Sequence, residues 1–331
     1  MSIKLNIMIV ALISFFVTLL ITKRLIKVFN KKEIGQKILD IGPNWHKSKE
    51  GTPTMGGISF IIAFICAFLY CIVVLIIEKN KAEILTAISI VVFVLLNSLI
   101  GLIDDLAKIK KNKNEGLKPI GKLTLQALSA VIFLACLKFS NSINTIIKIP
   151  LINFEQDLGF LFYVVAFFVI CGFINAVNLT DGIDGLASSV SLTSGVFICV
   201  VAITIIQTKG LALVGGTIIG SLFAFLIYNL HPAKIFMGDT GSLFLGALIV
   251  STSFLMENLL IIIFYGFVFI CEAISVILQV LFFKITKGKR LFKMAPLHHH
   301  LEKSGWSESK IVVTFTFINA IGCILAYFIL I

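Results

Sequence analysis

Ten runs of about 20 mainly apolar residues, each long enough to cross a bilayer, follow one another along this 331-residue chain. In lipid the backbone must satisfy its own hydrogen bonds, which leaves helices and closed barrels as the spanning structures. Barrel strands would read as alternating segments of about 10 residues, whereas these runs are continuous. With 58% hydrophobic and 14% charged residues, against about 45–50% and 25% in soluble domains, soluble, disordered, coiled-coil and disulfide-scaffold classes are excluded. The prediction is an all-α, polytopic integral membrane protein with a single membrane domain over 1–331. Its spans are expected at 5–26, 55–77, 84–103, 121–139, 158–178, 186–206, 211–230, 240–256, 259–283 and 310–330. The first run lacks a small-residue cleavage pattern and is expected to be a retained span. All seven cysteines lie in apolar stretches without a CxxC pair, as core residues do.

Counting Lys and Arg on alternate sides of the spans puts 22 of the 28 on one side. That side is therefore predicted to be cytoplasmic, with both termini outside. The net charge of +11 follows largely from this asymmetry and from attraction to anionic headgroups. Nucleic acid is excluded as a partner, because no soluble domain exists to carry it. His46, His231, His298, His299 and His300, with every Asp except Asp157, fall on the same side. The external connection around 140–157 is expected to hold a small hairpin, Ile146 to Phe154, alternating around Pro150. The chemistry is predicted at the cytoplasmic membrane surface.

Five segments carry it. Asp104 and Asp105 end the third apolar run; adjacent helical residues point about 100° apart, so the two carboxylates cannot serve one ligand identically. They suit a Mg²⁺ ion or a proton at the interface, although Asp104 and Lys108 could also simply pair at i,i+4. Asn178, Asp181 and Asp184 recur every third residue, which would gather them in one sector of a helical turn. The flanking Gly182 and Gly185 would admit a ligand close to the backbone. Asp239, followed by Thr240, Gly241 and Ser242, gives an oxygen-rich turn opening a helix. Hard cations take such oxygens, and the competing role is an N-cap. In Pro296-Leu-His298-His299-His300-Leu-Glu302 the three imidazoles would diverge on a helix, which disfavours one zinc site; beside Lys289, Arg290 and Lys293 they suit a phosphate clamp, with a solvated basic loop as the alternative. Thr52-Pro-Thr54-Met-Gly-Gly57 allows tight packing or close approach to phosphate. Glu272 sits inside a span, where a charge costs about 2.5–3.5 kcal/mol; it shares a face with Gln279, and a structural bond and a cavity-lining role are both open.

Together these segments resemble the phospho-N-acetylmuramoyl-pentapeptide transferases of bacterial peptidoglycan synthesis, within the polyprenyl-phosphate N-acetylhexosamine-1-phosphate transferases. The resemblance covers almost the whole chain. It implies transfer from UDP-MurNAc-pentapeptide to undecaprenyl phosphate, with Mg²⁺ as cofactor and membrane lipid as surroundings. On the matching positions it implies Asp239 as the metal ligand, and Asp104, Asp105, Asp239, His298 and His299 as the catalytic set. Lys108 and Lys122 would face phosphate, as would His298 and His299. Phe236 would stack on uracil, with Lys49 and Asp184 reaching the base. Asn178, Asp181 and Asn229 would complete the nucleotide cleft, and Thr54, Gln279 and His300 would also contact substrate. The sequence is compatible with a homodimer and leaves direct attack by the lipid phosphate, which is favoured, beside a covalent route through a carboxylate. The rival readings are a sister enzyme moving GlcNAc-1-phosphate and a secondary transporter, whose broken spans would hold substrate near the midplane.

Overall fold

The computed structural model describes residues 2–32, 34–35, 49–111, 116–149 and 154–331. Lys37, His46, Lys47, Lys113 and Pro150 lie outside the described residues. Among the described residues, ten helices are long and apolar enough to span a membrane. They are α1 (Ile3–Lys31), α2 (Gly57–Ile77), α3 (Lys81–Lys111), α4 (Pro119–Phe139), α5 (Phe160–Thr180), α6 (Leu186–Thr204), α7 (Lys209–Asn229), α8 (Gly238–Leu255), α10 (Phe267–Ile285) and α12 (Glu308–Leu330). Among the described residues there are also two short α-helices, α9 (Ile262–Tyr265) and α11 (Leu297–Glu302), and a 3-10 turn at Leu259–Ile261. The expected hairpin is present as β1 (Ile146–Ile149) and β2 (Phe154–Asp157), antiparallel with Ile146 opposite Asp157 and Ile149 opposite Phe154. All seven cysteines are free thiols.

Helices α7 and α8 are the most enclosed spans, and α1 and α10 are among the most exposed. The sequence explains the difference. Along α1, Asn6, Val10, Ser14, Thr18 and Thr22 recur every fourth residue and are all buried, making a narrow inward stripe of mostly small side chains, as interfaces between membrane helices favour. Thr22 donates to Ser59 Oγ of α2 at 2.8 Å, and Tyr70 donates to Asn6 Oδ1 at 2.9 Å. Leu12, Phe16 and Leu20 of α1 point outward.

Two departures from the expected spans have local causes. Helix α3 does not stop at 103 but continues to Lys111, so Asp104, Asp105 and Lys108 lie on continuous helix. The ninth span does not begin at 259: the helix breaks at Gly266 and restarts at Phe267. There the carbonyl of Tyr265 accepts from Ser194 Oγ at 2.7 Å and from Asn319 Nδ2 at 3.1 Å. Asn319 Oδ1 in turn accepts from Val268 N at 3.3 Å. Side chains of α6 and α12 thus satisfy the backbone groups that the break releases, as a membrane interior requires.

Near the site the backbones themselves touch. The Cα of Gly57 at the start of α2 packs on Gly241 of α8, and Gly101 of α3 lies against the carbonyl of Asp239. A strand-like exchange locks the same region: Gly56 N donates to Phe236 O at 2.8 Å, Gly57 N to Met237 O at 3.0 Å, and Phe236 N to Pro53 O at 2.8 Å. The glycine pair of the Thr52–Gly57 segment therefore serves close packing. A Cβ on Gly101 would collide with the Asp239 backbone, whereas one on Gly121 of α4 would meet nothing within 4 Å. Gly101→Ala is expected to cost about 1–3 kcal/mol through overpacking, seen as a lower melting temperature in detergent. Gly121→Ala should leave the melting temperature unchanged.

Candidate active site

The C-terminal turns of α3 and the first turn of α8 bring Asp104, Asp105 and Asp239 together, with one oxygen of each within 4.8 Å of the others. The ammonium of Lys108 stands 2.7 Å from Asp104 Oδ2, 2.8 Å from Asp239 Oδ2 and 3.8 Å from Asp105 Oδ1. Lys122, one turn into α4, places its Nζ 2.7 Å from the same Asp239 oxygen. Asn178 near the end of α5 donates to Asp239 Oδ1 at 2.8 Å and to Ser242 Oγ at 2.7 Å. The i,i+4 pair of Asp104 and Lys108 exists, yet it does not end in mutual neutralisation, because Lys108 also serves Asp239.

The two adjacent carboxylates do different things, as their angular separation on the helix requires. Asp105 accepts from Asp239 N at 3.1 Å, Thr240 N at 2.9 Å and Thr240 Oγ1 at 2.7 Å. It fills the role of an N-cap for α8 from a different helix, satisfying orphan donors and the positive end of the helix dipole. Asp239 is therefore not the cap of its own helix. Its carboxylate is turned to the lysines. Asp104 Oδ1 accepts from Leu117 N at 2.7 Å, which fastens the segment leading into α4 and hence Lys122.

The 178–185 segment is not one helical sector. Helix α5 ends at Thr180, Asp181 is its C-cap, and Gly185 adopts a left-handed conformation with φ of 78° before α6 starts. The chain turns, so Asn178 and Asp184 reach different groups. Asp184 Oδ1 stands 2.7 Å from Lys49 Nζ, and its Oδ2 accepts from Ala233 N at 3.0 Å and lies 3.0 Å from His231 Nδ1. Lys49 also stands 2.7 Å from Glu308 Oε2 on α12. Burial pushes Asp184 up, but the Lys49 hydrogen bond, the Ala233 N–H and the Lys49 charge outweigh it and hold the carboxyl below its ordinary value. Asp181 sits between the two groups, and no hydrogen bond from the described residues reaches its carboxyl. Burial, then the charges of Asp239, Asp105 and Asp184, push it up to about 8.

The histidine segment forms the short helix α11, and its three imidazoles diverge as expected. His298 lies against Glu272 of α10, His299 Nδ1 is 2.6 Å from Glu302 Oε2, and His300 Nδ1 accepts from Lys293 N at 3.1 Å. Gln279 is engaged by the loop before α11: its Oε1 accepts from Leu291 N and Phe292 N, and its Nε2 donates to Phe292 O. Asn229 is likewise occupied, accepting from Ser188 Oγ at 2.8 Å and donating to Ile235 O at 3.0 Å. It shapes the α7–α8 connection that carries Phe236, whose ring is half-buried. Thr54 is buried beside Gly238. The structure thus gathers Asp104, Asp105, Asp239, Lys108, Lys122 and Asn178 in one cluster, and Lys49 and Asp184 in a second. Gln279, Asn229 and His300 hold loops around them. His231, Thr240 and Glu308 went unassigned in the sequence, and only tertiary proximity reveals their part.

Both clusters lie at one end of the bundle, opposite the ends of α1 and α12 that carry the termini. A secondary transporter would hold its substrate near the midplane, so this placement disfavours that alternative. The donor set of the first cluster is oxygen only, which suits a hard divalent cation rather than zinc or copper. Three carboxylates against two ammonium groups leave an excess of negative charge there to attract such an ion. The same ammonium groups can turn to phosphate. This is a multi-pass membrane protein with a carboxylate and lysine cluster at one end of its helices.

Comparison with known proteins agrees. Residues 87–257 match the family model described as glycosyl transferase family 4. The chain is 38% identical over 314 residues to the phospho-N-acetylmuramoyl-pentapeptide-transferase of Listeria welshimeri, covering 95% of each chain. It is 39% identical to that of Bacillus subtilis strain 168, covering 92% of this chain and 91% of the relative. With the enzyme of the same name from Rickettsia bellii the identity is 40%, over 94% of this chain and 88% of the relative. The chain belongs to glycosyl transferase family 4 and, within it, to the phospho-N-acetylmuramoyl-pentapeptide transferases.

The raised Asp181 carboxyl has a pH signature. An acid whose folded value lies near 8 binds more protons folded than unfolded between about pH 4 and that value. Its contribution to stability therefore falls as pH rises through this window. Asp181→Asn removes this titration. In metal-free detergent solution, the melting temperature of the variant relative to wild type should be higher at pH 8 than at pH 5. A pH-independent difference would contradict the assignment.

Proposed function

We propose that the protein transfers phospho-MurNAc-pentapeptide from UDP-MurNAc-pentapeptide to undecaprenyl phosphate, releasing UMP and leaving the product, lipid I, in the membrane. The observation that carries this reading is the convergence of Asp104, Asp105 and Asp239 with Lys108 and Lys122 at one end of a membrane bundle. A prenyl tail leaves the bilayer only at about 0.8 kcal/mol per CH₂, so its phosphate must meet the nucleotide sugar at the surface. The basic side of the spans supports placing this end at the cytoplasmic face of a bacterial membrane, with both termini outside.

In this reading Lys108 and Lys122 move from Asp239 to phosphate oxygens and offset the repulsion between two anionic substrates. Asp105 keeps its bonds to the first turn of α8 and so fixes the direction of Asp239. The cation would be Mg²⁺, held by Asp239 with Asp104 beside it, and when bound it supplies charge neutralisation to the diphosphate. Attack by the lipid phosphate is the favoured route. A phosphate monoester with a second ionisation near 6 is already largely dianionic at pH 7 and needs little help from a base. Both oxygens of Asp104 are already engaged by Lys108 and Leu117, which suits an electrostatic role. Lys49, Asp184 and Phe236 form the base end of the nucleotide site, bounded by His231 and Glu308.

The direct test is UMP release from UDP-MurNAc-pentapeptide with and without undecaprenyl phosphate, beside UDP-GlcNAc. Release that requires the lipid and the muramoyl substrate is expected; release from UDP-GlcNAc alone would point to the sister enzyme. Asp239→Asn should slow that reaction by roughly 10²–10⁴-fold, equivalent to about 3–5 kcal/mol of lost transition-state contact, and should shift the Mg²⁺ dependence. Metal affinity can be read independently, from Mg²⁺-induced thermal stabilisation, which the variant should lose. Unchanged turnover and stabilisation would sink the metal assignment.

For orientation, cysteines at Lys111 and Lys289 should resist an impermeant thiol reagent in intact cells, while one at Lys148 should react. Labelling at the first two positions would reverse the topology.

A further inference from the structure

Glu272 is a carboxylate in the second turn of the spanning helix α10, and the chemistry above makes no use of it. It is fully buried in α10, and so is His298 in α11, each at 0% exposure. Glu272 Oε1 accepts from His298 N at 3.2 Å, and its Oε2 stands 3.2 Å from His298 Nδ1. The second approach is close without the alignment of a full hydrogen bond, as is common at sites before substrate tightens them. The opposite ring nitrogen, Nε2, has no hydrogen-bond partner among the described residues. It lies directly over Gly182, where a Cβ would overlap it. Gly182 follows Asp181, so the unengaged nitrogen packs on the backbone next to the carboxyl that feels the charges of Asp239, Asp105 and Asp184. Burying a charge and an unpaired ring nitrogen together is costly unless something is gained.

We propose that Glu272 is a positioning residue for the transfer: it keeps the proton of His298 on Nδ1 and holds the ring with Nε2 aimed past Gly182 at the substrate phosphate. The geometry shows why a carboxylate is needed there. Two nitrogens converge on it: the backbone N–H, which Oε1 accepts, and Nδ1, which stands 3.2 Å from Oε2 and would donate to it once aligned. An amide offers one acceptor only. With Gln at this position, either the backbone N–H loses its partner or an NH₂ group faces Nδ1 and drives the proton to Nε2. Gly182 has the complementary role, since any side chain there would displace the ring.

The catalytic part of this inference rests on the transferase reading; the tautomer does not. The experiment therefore combines UMP release, melting temperature and ¹⁵N NMR of ring-labelled histidine for wild type, Glu272→Gln, His298→Gln and the double variant. Glu272→Gln should slow UMP release by about 10–100-fold, as loss of an orienting carboxylate behind a histidine does, with little change in melting temperature. Its His298 signals should change from the Nδ1-protonated pattern of wild type. The double variant should be no slower than His298→Gln alone, because a residue acting through another gives a non-additive cycle. Additive losses, or a tautomer unchanged in Glu272→Gln, would overturn the proposal. If Glu272→Gln does not fold, Glu272→Asp decides. Partial activity with Nδ1 protonated supports the pairing, and full activity from the shorter carboxylate overturns it. If wild type releases no UMP, the transferase reading fails, and the NMR signature alone then tests the pair.

Discussion

The site depends on one carboxylate bound to the end of a helix. Asp105 of α3 accepts from the backbone N–H groups of Asp239 and Thr240, so an acid on one span closes the first turn of another. The bond neutralises a buried charge with the helix dipole and leaves the neighbouring acid free for other partners. Asp104, one residue earlier, can then face Lys108, and Asp239, anchored through its own N–H, can face both lysines. Without this cross-helix cap, three carboxylates within one small volume would repel one another in a medium of low polarity.

The glycine contacts follow from the same requirement. For Asp105 to reach the α8 terminus, α3 and α8 must approach backbone to backbone, which Gly101 permits against the Asp239 carbonyl. Gly57 and Gly241 do the same between α2 and α8. Polar side chains at buried positions, such as Asn319 at the Gly266 break, then satisfy what close packing and helix interruption leave exposed. Packing and electrostatics solve one problem together.

Much of this was legible in the residues. Ten apolar runs announced ten spans, the alternation from Ile146 to Phe154 announced the hairpin, and the acid-rich segments announced the carboxylate cluster. Periodicity misled where the chain turns. The three-residue spacing of Asn178, Asp181 and Asp184 looks helical, but the left-handed Gly185 and the end of α5 at Thr180 send these side chains to different clusters. Nor does spacing reveal that Asp105, not Asp239, caps α8, because that bond joins residues 134 and 135 positions apart. Glu308 and His231 carry no local signal at all; only the fold brings them to Asp184. The resemblance to known transferases implied a substrate role for Asn229 and Gln279, while the structure shows their side chains holding loops.

That long-range assembly bears on how the protein is made. Lys49 and Glu308, which share an ion pair beside Asp184, are 259 residues apart in sequence. The carboxylate cluster draws on α3 and α8, and the histidine helix lies between α10 and α12. A ribosome releasing the spans in order would insert most of the bundle before its second cluster could close. During that interval Lys49 and Asp184 would have each other but lack the acid that completes their network. The network at Lys49 is thus completed only when α12 is in place, after the carboxylate cluster of α3 and α8 has all its residues.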